Sequence, residues 1–429
     1  MTIMLIVFLL LLLMNTPIAF VIGLAGVAWF FQHPEYSMAI AVQRAVAPTQ
    51  SIAFLAVPFF IFAGNLMNRT GITRHLISFA RLLTRRMVGG IAQVSVLLSM
   101  MMGGISGSAV ADASMEARIL GPEMIRRGYP RGYAGGVICL TSLIVATIPP
   151  SLGLILYGFV GNVSIGKLFV AGVVPGLLMT ILLLVTVHIT AKRGRYDLPE
   201  KDAKLPSAKE ILTELRSSVW ALIFPLILII GIRFGIFTPT EAGAFAVVYA
   251  LIIGVFVYKE LDLKGFLQAL KDSFIDNGGI LLIISLSGIF GYALTDENTP
   301  AMLGKLLFGI SSNPQILMVL IVLFLVIAGM FIDSNVNTLL LTPIFLPVLI
   351  QMGVDPVHFG IIFQTMVTMG CMTPPVGTAL YIVCDILDCP VEVYFLQTLP
   401  FYAAVIGLDI LLIFIPDVVM WLPRLVYGS

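Results

Sequence analysis

"IPPSLGLILYG", Ile148 to Gly158, sets two adjacent prolines inside an apolar run, and "TPPVGTALYI", Thr373 to Ile382, repeats the pattern. Proline donates no backbone hydrogen bond and breaks a helix interior. It also pushes the preceding residue out of helical geometry. Each pair therefore predicts a helix broken in its middle. Pro149 and Pro150 deprive the carbonyls of Val145 and Ala146 of their helical donors, and Pro374 and Pro375 do the same to Gly370 and Cys371. In hydrocarbon such carbonyls are costly. The breaks are expected only where they line a cavity or meet a ligand. A hard cation such as Na+ takes oxygen ligands, so the freed carbonyls are candidate cation sites.

The rest of the chain supplies the hydrocarbon. Of 429 residues, 59% are hydrophobic and 11% charged, against about 25% charged in soluble domains. Mean hydropathy is +1.05. Such a chain needs lipid as its solvent. The net charge of +1 argues against nucleic acid as a partner. Cys139, Cys371, Cys384 and Cys389 have no metal or redox spacing and read as small apolar residues. The opening run has no basic n-region and stays apolar to Phe31, which predicts a span bent at Pro17 rather than a cleaved leader.

Runs long enough to cross lie near 3–31, 51–68, 131–158, 165–190, 217–235, 240–258, 279–295, 356–386 and 392–421. Regions 90–126 and 314–352 each carry two apolar arms around a polar tip, "GGISGSAVADAS" and "GMFIDSNVNT". Arg74, Arg81, Arg85 and Arg86 precede the first region; Arg118, Arg126, Arg127 and Arg131 follow its tip; Lys192, Arg193, Arg195, Lys201, Lys204 and Lys209 come two spans later. Basic residues favour the cytoplasm. All three clusters share that side only if region 90–126 leaves by the face it entered. Two full crossings satisfy the same parity, but the short arms favour a re-entrant hairpin. Region 314–352 then starts from the outer face, and no Lys or Arg occurs between Lys305 and Arg424.

A shift of 225 residues lays Asp112 on Asn337, Pro122 on Pro347, Gly128 on Gly353, Pro149–Pro150 on Pro374–Pro375 and Pro175 on Pro400. By the span count the copies face opposite sides, an inverted-topology repeat of the kind found in secondary transporters. Residues 1–190 form the first repeat of this single membrane domain, with its hairpin at 90–126 and its broken helix at 131–158. A cytoplasmic connector follows at 191–216; residues 217–429 hold a linking span and the second repeat, with hairpin 314–352 and broken helix 356–386. Segment 72–87 is amphipathic and 299–311 is its counterpart. They read either as interfacial arms gripping a moving unit or as ordinary surface helices.

The tips supply oxygen to oppose each break. The first offers Ser106, Ser108 and Asp112; the second offers Asp333, Ser334, Asn335, Asn337 and Thr338. A carboxylate within the membrane costs at least ~2.5 kcal/mol, so Asp112 and Asp333 are functional candidates unless they sit at an interface. "GGISG" also fits plain small-residue packing. Glu116 shares a helical face with Asp112, and Asp409 in the last span has no assigned role. Helix ends facing the cavity add partial positive charge for an anion.

Taken together, "SGSAVADA", "IPPSLGLILYG", "GIFTPTEAGA", "GMFID" and "TPPVGTALY" resemble the large membrane subunit of tripartite ATP-independent periplasmic (TRAP) transporters, across nearly the whole chain. The resemblance implies an all-α polytopic protein of the inner membrane, an elevator-type secondary transporter with two re-entrant hairpins and two broken helices. It implies Na+-driven import of organic anions such as sialic acid, sugar acids or C4-dicarboxylates. It also implies two partners, a periplasmic substrate-binding protein and a small membrane subunit of about four helices. The candidate Na+ ligands, two or more ions being expected, are Ser106, Ser108, Val145, Ala146 and Pro149 in one half and Asp333, Asn335, Asn337, Gly370, Cys371, Thr373 and Gly377 in the other. Substrate candidates are Ser108, Asp112, Pro150, Ser151, Ser334, Pro374 and Pro375. Glu241 matches a family position outside both hairpins, although a Thr240–Glu241 pair also suits a helix cap. Met115 and Glu116 depart from the small or apolar residues expected after the first tip, and "SNVNT" is more polar than in the sialic-acid branch.

The rival transport reading is a stand-alone Na+- or H+-coupled dicarboxylate symporter of related fold. An intramembrane enzyme is disfavoured: there is no HExxH and no nucleophile–His set among His33, His75, His188 and His358. No Walker A sequence suggests ATP hydrolysis. Two occluding hairpins argue for alternating access over an open channel.

Overall fold

Backbone polar groups in lipid must be satisfied within helices or closed barrels. The computed structural model describes residues 2–14, 16–198 and 207–428, and among these no strand occurs. Three helices come first: Thr2–Leu13 (α1), Ile18–Gln32 (α2) and Met38–Val46 (α3). After two 3₁₀ turns follow Ala56–Met67 (α4) and Ile72–Thr84 (α5). The first hairpin region holds Gly90–Gly103 (α6), Ala109–Ile119 (α7) and Gly121–Arg126 (α8). Arg131–Thr141 (α9) and Leu143–Thr147 (α10) lead into the first proline pair, and Leu152–Gly161 (α11) leaves it. Ile165–Gly194 (α12) and Ala208–Arg233 (α13) take up both ends of the expected connector, whose residues 199–206 lie outside the described ones. Pro239–Ile252 (α14) continues as a π-turn to Val257. Leu263–Asp296 (α15) and Thr299–Ile310 (α16) precede the second hairpin region, Pro314–Phe331 (α17) and Ser334–Gln351 (α18). Pro356–Gly370 (α19) and Thr378–Leu387 (α20) flank the second proline pair, and Val391–Phe414 (α21) and Pro416–Tyr427 (α22) come last.

Seven of these elements are long and apolar enough to cross a bilayer: α12, α13, α14 with its π-turn, α15, α17, α18 and α21. An eighth candidate is the broken pair on either side of Pro149–Pro150, bent by 46°. The chain is a multi-pass membrane protein. α15 begins well before the expected span at 279 because Asp262 caps it, its side chain accepting from Gly265 N–H. α21 stops at Phe414, short of the expected 421. Pro416 supplies no amide to continue it.

The expected single span over 3–31 is two helices. Phe8 of α1 has its ring 5.7 Å from Phe290, and Phe30 of α2 lies 5.8 Å from Tyr292. A continuous helix would separate residues 8 and 30 by about 33 Å. α2 therefore folds back along α1, and the two lie together on α15. Pro17 sits at the break: it has no amide to continue α1, and its backbone is extended (ψ 130°) at the N-cap of α2.

Asp197 gathers the ends of the first hairpin region. Its carboxylate accepts from the Ile91 amide at 2.9 Å and pairs with Arg127 at 3.2 Å. Arg127 also pairs with Glu123, as does Arg81 of α5. Entry and exit thus lie together, and the segment returns to the side from which it started. At 14 residues, α6 is about 21 Å long, less than the ~30 Å hydrocarbon core. The arms of the second region are longer, 18 residues each.

The two broken helices run antiparallel. Arg131, at the start of α9, donates to the carbonyl of Asp388 at the end of α20, at 2.6 Å. Tyr157, near the end of α11, donates to the carbonyl of Pro356 at the start of α19, at 2.8 Å. α17 and α19 approach at glycine: a Cβ on Gly370 would sit 2.5 Å from the Val326 carbonyl oxygen, and one on Gly329 would sit 2.4 Å from that of Val367.

Candidate functional site

Helices that begin inside a bilayer expose amides with no partner. Here short polar residues meet them. Ser108 caps α7, Ser151 caps α11 and Asp333 caps α18; their side chains accept from Ala111, Leu154 and Asn335 amides.

At the first break the Leu152 amide donates to the Gly107 carbonyl at 3.1 Å, tying broken helix to hairpin tip. Gly107 has φ +64°, and a Cβ there would lie 2.7 Å from the Pro150 carbonyl oxygen. Only glycine adopts that backbone this close to another chain segment without strain. Among the described residues no hydrogen bond reaches the carbonyls of Val145 or Ala146, as the proline pair predicts. Ser106 Oγ is also buried without a partner. These oxygens suit a hard cation.

The second break departs from expectation. Gly370 and Cys371 do not have free carbonyls: Gly370 accepts from Thr373 at 2.9 Å, and Cys371 accepts from Ala379 at 3.0 Å. This break is longer than the first, running from Cys371 to Gly377, so a turn within it places the Thr373 amide on the Gly370 oxygen and the first amides of α20 recover the Cys371 oxygen. Thr373 Oγ1 donates to the Met369 carbonyl at 2.8 Å. The tip contact persists in another form, with the Gly377 amide donating to the Met330 carbonyl at 2.8 Å. Both proline pairs are joined by cis peptide bonds.

A cavity of about 470 Å³ lies between the two tips, the first break and helices α4, α15 and α19. Of the expected residues it is lined by Ser106, Ser108, Ala146, Pro150, Asp333, Ser334 and Asn335. The N-termini of α7, α11 and α18 all open into it. Its charged lining residues are Asp276 and Asp333, and no Lys or Arg is among them.

Other expected residues lie elsewhere. Pro374 and Pro375 line a separate surface depression with Tyr381 and Glu392, because the second break turns them outward. Ser151 and Asp112 are buried behind the lining. Asn337 is buried too, and its amide donates to the Ile332 carbonyl at 2.9 Å, fixing the tip backbone. Glu241 stands outside the cavity in a capping box: its carboxylate accepts from the Thr238 amide at 2.8 Å, while Thr238 Oγ1 accepts from the Glu241 amide. The cap is Thr238 and not Thr240, which instead donates to the Ile52 carbonyl.

The cavity also contains residues the sequence reading passed over. Asn65 of α4 donates to Asp276 Oδ2 and to Ser273 Oγ, each at 3.0 Å. Gln364 and Thr368 of α19 line the opposite wall; Gln364 Nε2 donates to Thr368 Oγ1 at 3.0 Å and its Oε1 accepts from Thr338. Gln364 and Thr368, four apart with Thr365 between them in the mostly apolar run "FGIIFQTMVTMG", were the available signal.

This fold is shared with a solved membrane protein. The solved Alcanivorax borkumensis YdaH transporter superposes with TM-score 0.63 at 12% identity, covering 90% of this chain and 88% of that one. The chain belongs to the DctM component family of tripartite ATP-independent periplasmic transporters, whose family model matches residues 5–418. It is 36% identical over 419 residues to the sialic acid TRAP transporter large permease protein SiaM of Vibrio cholerae, with 97% of each chain covered. It is 32% identical over 404 residues to the 2,3-diketo-L-gulonate TRAP transporter large permease protein YiaN of Escherichia coli, with 94% of each covered. It is a transport protein and not an enzyme.

Proposed function

We propose that this chain is the membrane pathway for Na+-coupled import of small carboxylate-bearing anions across the bacterial inner membrane. One observation carries the reading: three helix N-termini converge on a cavity whose charged lining residues, among those described, are the carboxylates Asp276 and Asp333. Helix N-termini attract an anion, but Asp276 and Asp333 repel it. Cations held beside those oxygens reverse the sign of the local field. Substrate then binds well only after the ions, which is coupling.

Val145 and Ala146 carbonyls with Ser106 and Ser108 form the first proposed Na+ site, and Asp333 with Asn335 anchors the second. The hairpins and broken helices move together as an elevator against a frame of α2, α4, α13, α14 and α15. Arms α5 and α16 flank that unit, each packed on a hairpin helix. The word tripartite implies two further polypeptides, a small membrane subunit and a periplasmic binding protein that delivers the anion. Substrates of relatives, sialic acid and 2,3-diketo-L-gulonate, are both carboxylates, and this cavity suits that class.

Reconstitution of the chain with its small subunit and binding protein tests the reading. Uptake driven by an inward Na+ gradient, and lost on dissipating it, is expected. Uptake that follows pH alone and ignores Na+ would replace Na+ by H+. Full activity without either partner would favour a stand-alone symporter.

A further inference from the structure

The first hairpin encloses two carboxyl side chains behind the cavity wall. Asp112 and Glu116 stand one turn apart on α7 and are 2% and 0% exposed. Ser99 Oγ of α6 lies 2.9 Å from both Asp112 Oδ2 and Glu116 Oε1. Ser95 Oγ touches Glu116 Oε2 and lies 2.9 Å from Thr141 Oγ1 of α9, which in turn lies 3.2 Å from the Ile138 carbonyl. Asp112 Oδ1, within the same buried cluster, has no hydrogen-bond partner among the described residues.

Hydrogens are short in this chain of contacts. Five oxygen–oxygen contacts join Asp112, Ser99, Glu116, Ser95, Thr141 and the Ile138 carbonyl, and each needs one hydrogen. The three hydroxyls provide one each, and an ionised carboxylate provides none. Ser99 shows the shortfall most simply: one hydrogen faces two carboxyl oxygens. With both carboxyls ionised, one contact would be bare oxygen against oxygen, beside two like charges in a low-dielectric interior.

Among the described residues no cation on the elements packed against α7 relieves this. The elements packed on α7 are α6, α8, α9, α10 and α20. Helices α6 and α10 bring no ionisable group. From α8, Glu123 is paired with Arg81 and Arg127, and Arg126 is exposed. From α9, Arg131 is paired with Asp388, Tyr133 bonds Thr190, and Cys139 is a buried thiol. From α20, Tyr381 and Asp385 are exposed and Cys384 is a thiol; on α7 itself Arg118 is exposed.

We infer that Glu116 binds a proton in the folded protein, so that the first hairpin carries one H+ at a site separate from the cation sites at the breaks. The proton on Oε1 goes to Ser99, whose own hydrogen then goes to Asp112. Ser95 is left to donate to Oε2, and only the longest contact, Thr141 to Ile138, competes for a hydrogen. Losing the proton puts two like charges on one serine and loosens α7 from α6.

Infrared difference spectroscopy of the purified chain with its small subunit tests this. At neutral pH the wild type minus Glu116→Gln spectrum should show the C=O stretch of a protonated carboxylic acid, shifted in D2O. Isotope-labelled glutamate in the unmutated protein reads the same band if the variant fails to fold. Carboxylate bands in place of the acid band would overturn the inference. So would an acid band that disappears on adding NaCl, which would make the cluster a Na+ site. In uptake assays the wild type should decline at alkaline pH, while Glu116→Gln, whose amide both donates and accepts at any pH, should stay flat. Failure of uptake itself tests the proposed function, whereas the infrared band does not depend on it.

Discussion

The Leu152 amide donates to the Gly107 carbonyl at 3.1 Å. That bond joins a helix interrupted by prolines to the tip of a hairpin. At the second break Gly377 and Met330 make the corresponding bond at 2.8 Å. Each tip is thereby fastened to the broken helix of its own half, and at the first break the fastened helix end, α11, opens into the cavity.

Gly107→Ala should therefore disturb the site and leave the spans in place. Its φ of +64° and the 2.7 Å approach to Pro150 leave no room for a methyl group. The strain amounts to about 1–3 kcal/mol. A lowered melting temperature and reduced Na+-driven uptake are expected, with small-subunit binding intact on purification.

Gly153→Ala acts on the opposite wall. The new Cβ would sit 2.0 Å from Gln364 Nε2, in a side chain only 3% exposed and bonded to Thr338 and Thr368. Displacing it leaves buried polar groups unpaired, a cost of about 1–3 kcal/mol. Thermal unfolding and substrate affinity should both worsen. Gln364→Ala in the same chain should relieve the clash, a non-additive pair in a double-mutant cycle.

Asp333 separates charge from capping. Asn caps a helix as well as Asp does, so Asp333→Asn should keep α18 and its Asn335 contact while removing the negative charge from the cavity. The Na+ concentration for half-maximal uptake should rise by at least about tenfold, roughly 1.4 kcal/mol. Asp333→Ala should abolish uptake and leave assembly intact. Unchanged Na+ dependence in the Asn variant would remove Asp333 from the ion site.

Tyr157→Phe probes the antiparallel pairing of the broken helices. It deletes the bond to the Pro356 carbonyl at 2.8 Å and little else. A loss of about 1 kcal/mol is expected in denaturant titration. Asp388→Ala should cost less, because its side chain is 92% exposed and solvent screens the pair with Arg131.

Glu241 distinguishes a cap from a transport residue. Gln can complete the same box, so Glu241→Gln should transport like the wild type, and Glu241→Ala should show only a small drop in melting temperature. A loss of uptake in the Gln variant at unchanged stability would assign Glu241 a role beyond the cap at Thr238.

Much of this molecule was legible because hydropathy and proline act locally. Apolar length marks a span wherever it occurs, and a proline removes its own amide whatever surrounds it, so the two breaks and the free carbonyls of Val145 and Ala146 follow from the residues alone. Ser108 and Asp333 were legible as polar residues at the hairpin tips, but their capping of α7 and α18 was read only from the structure. Tertiary structure decided what depends on residues distant in the chain. Packing on α15 folds α1 against α2. A longer turn lets Ala379 recover the Cys371 carbonyl and sends Pro374 and Pro375 to the surface. Asn65 and Asp276 reach the cavity, and Ser95 and Ser99 reach Glu116, only once helices far apart in sequence lie side by side. A hydrogen bond needs its partner within about 3 Å, and no local pattern of residues specifies a partner it has not yet met.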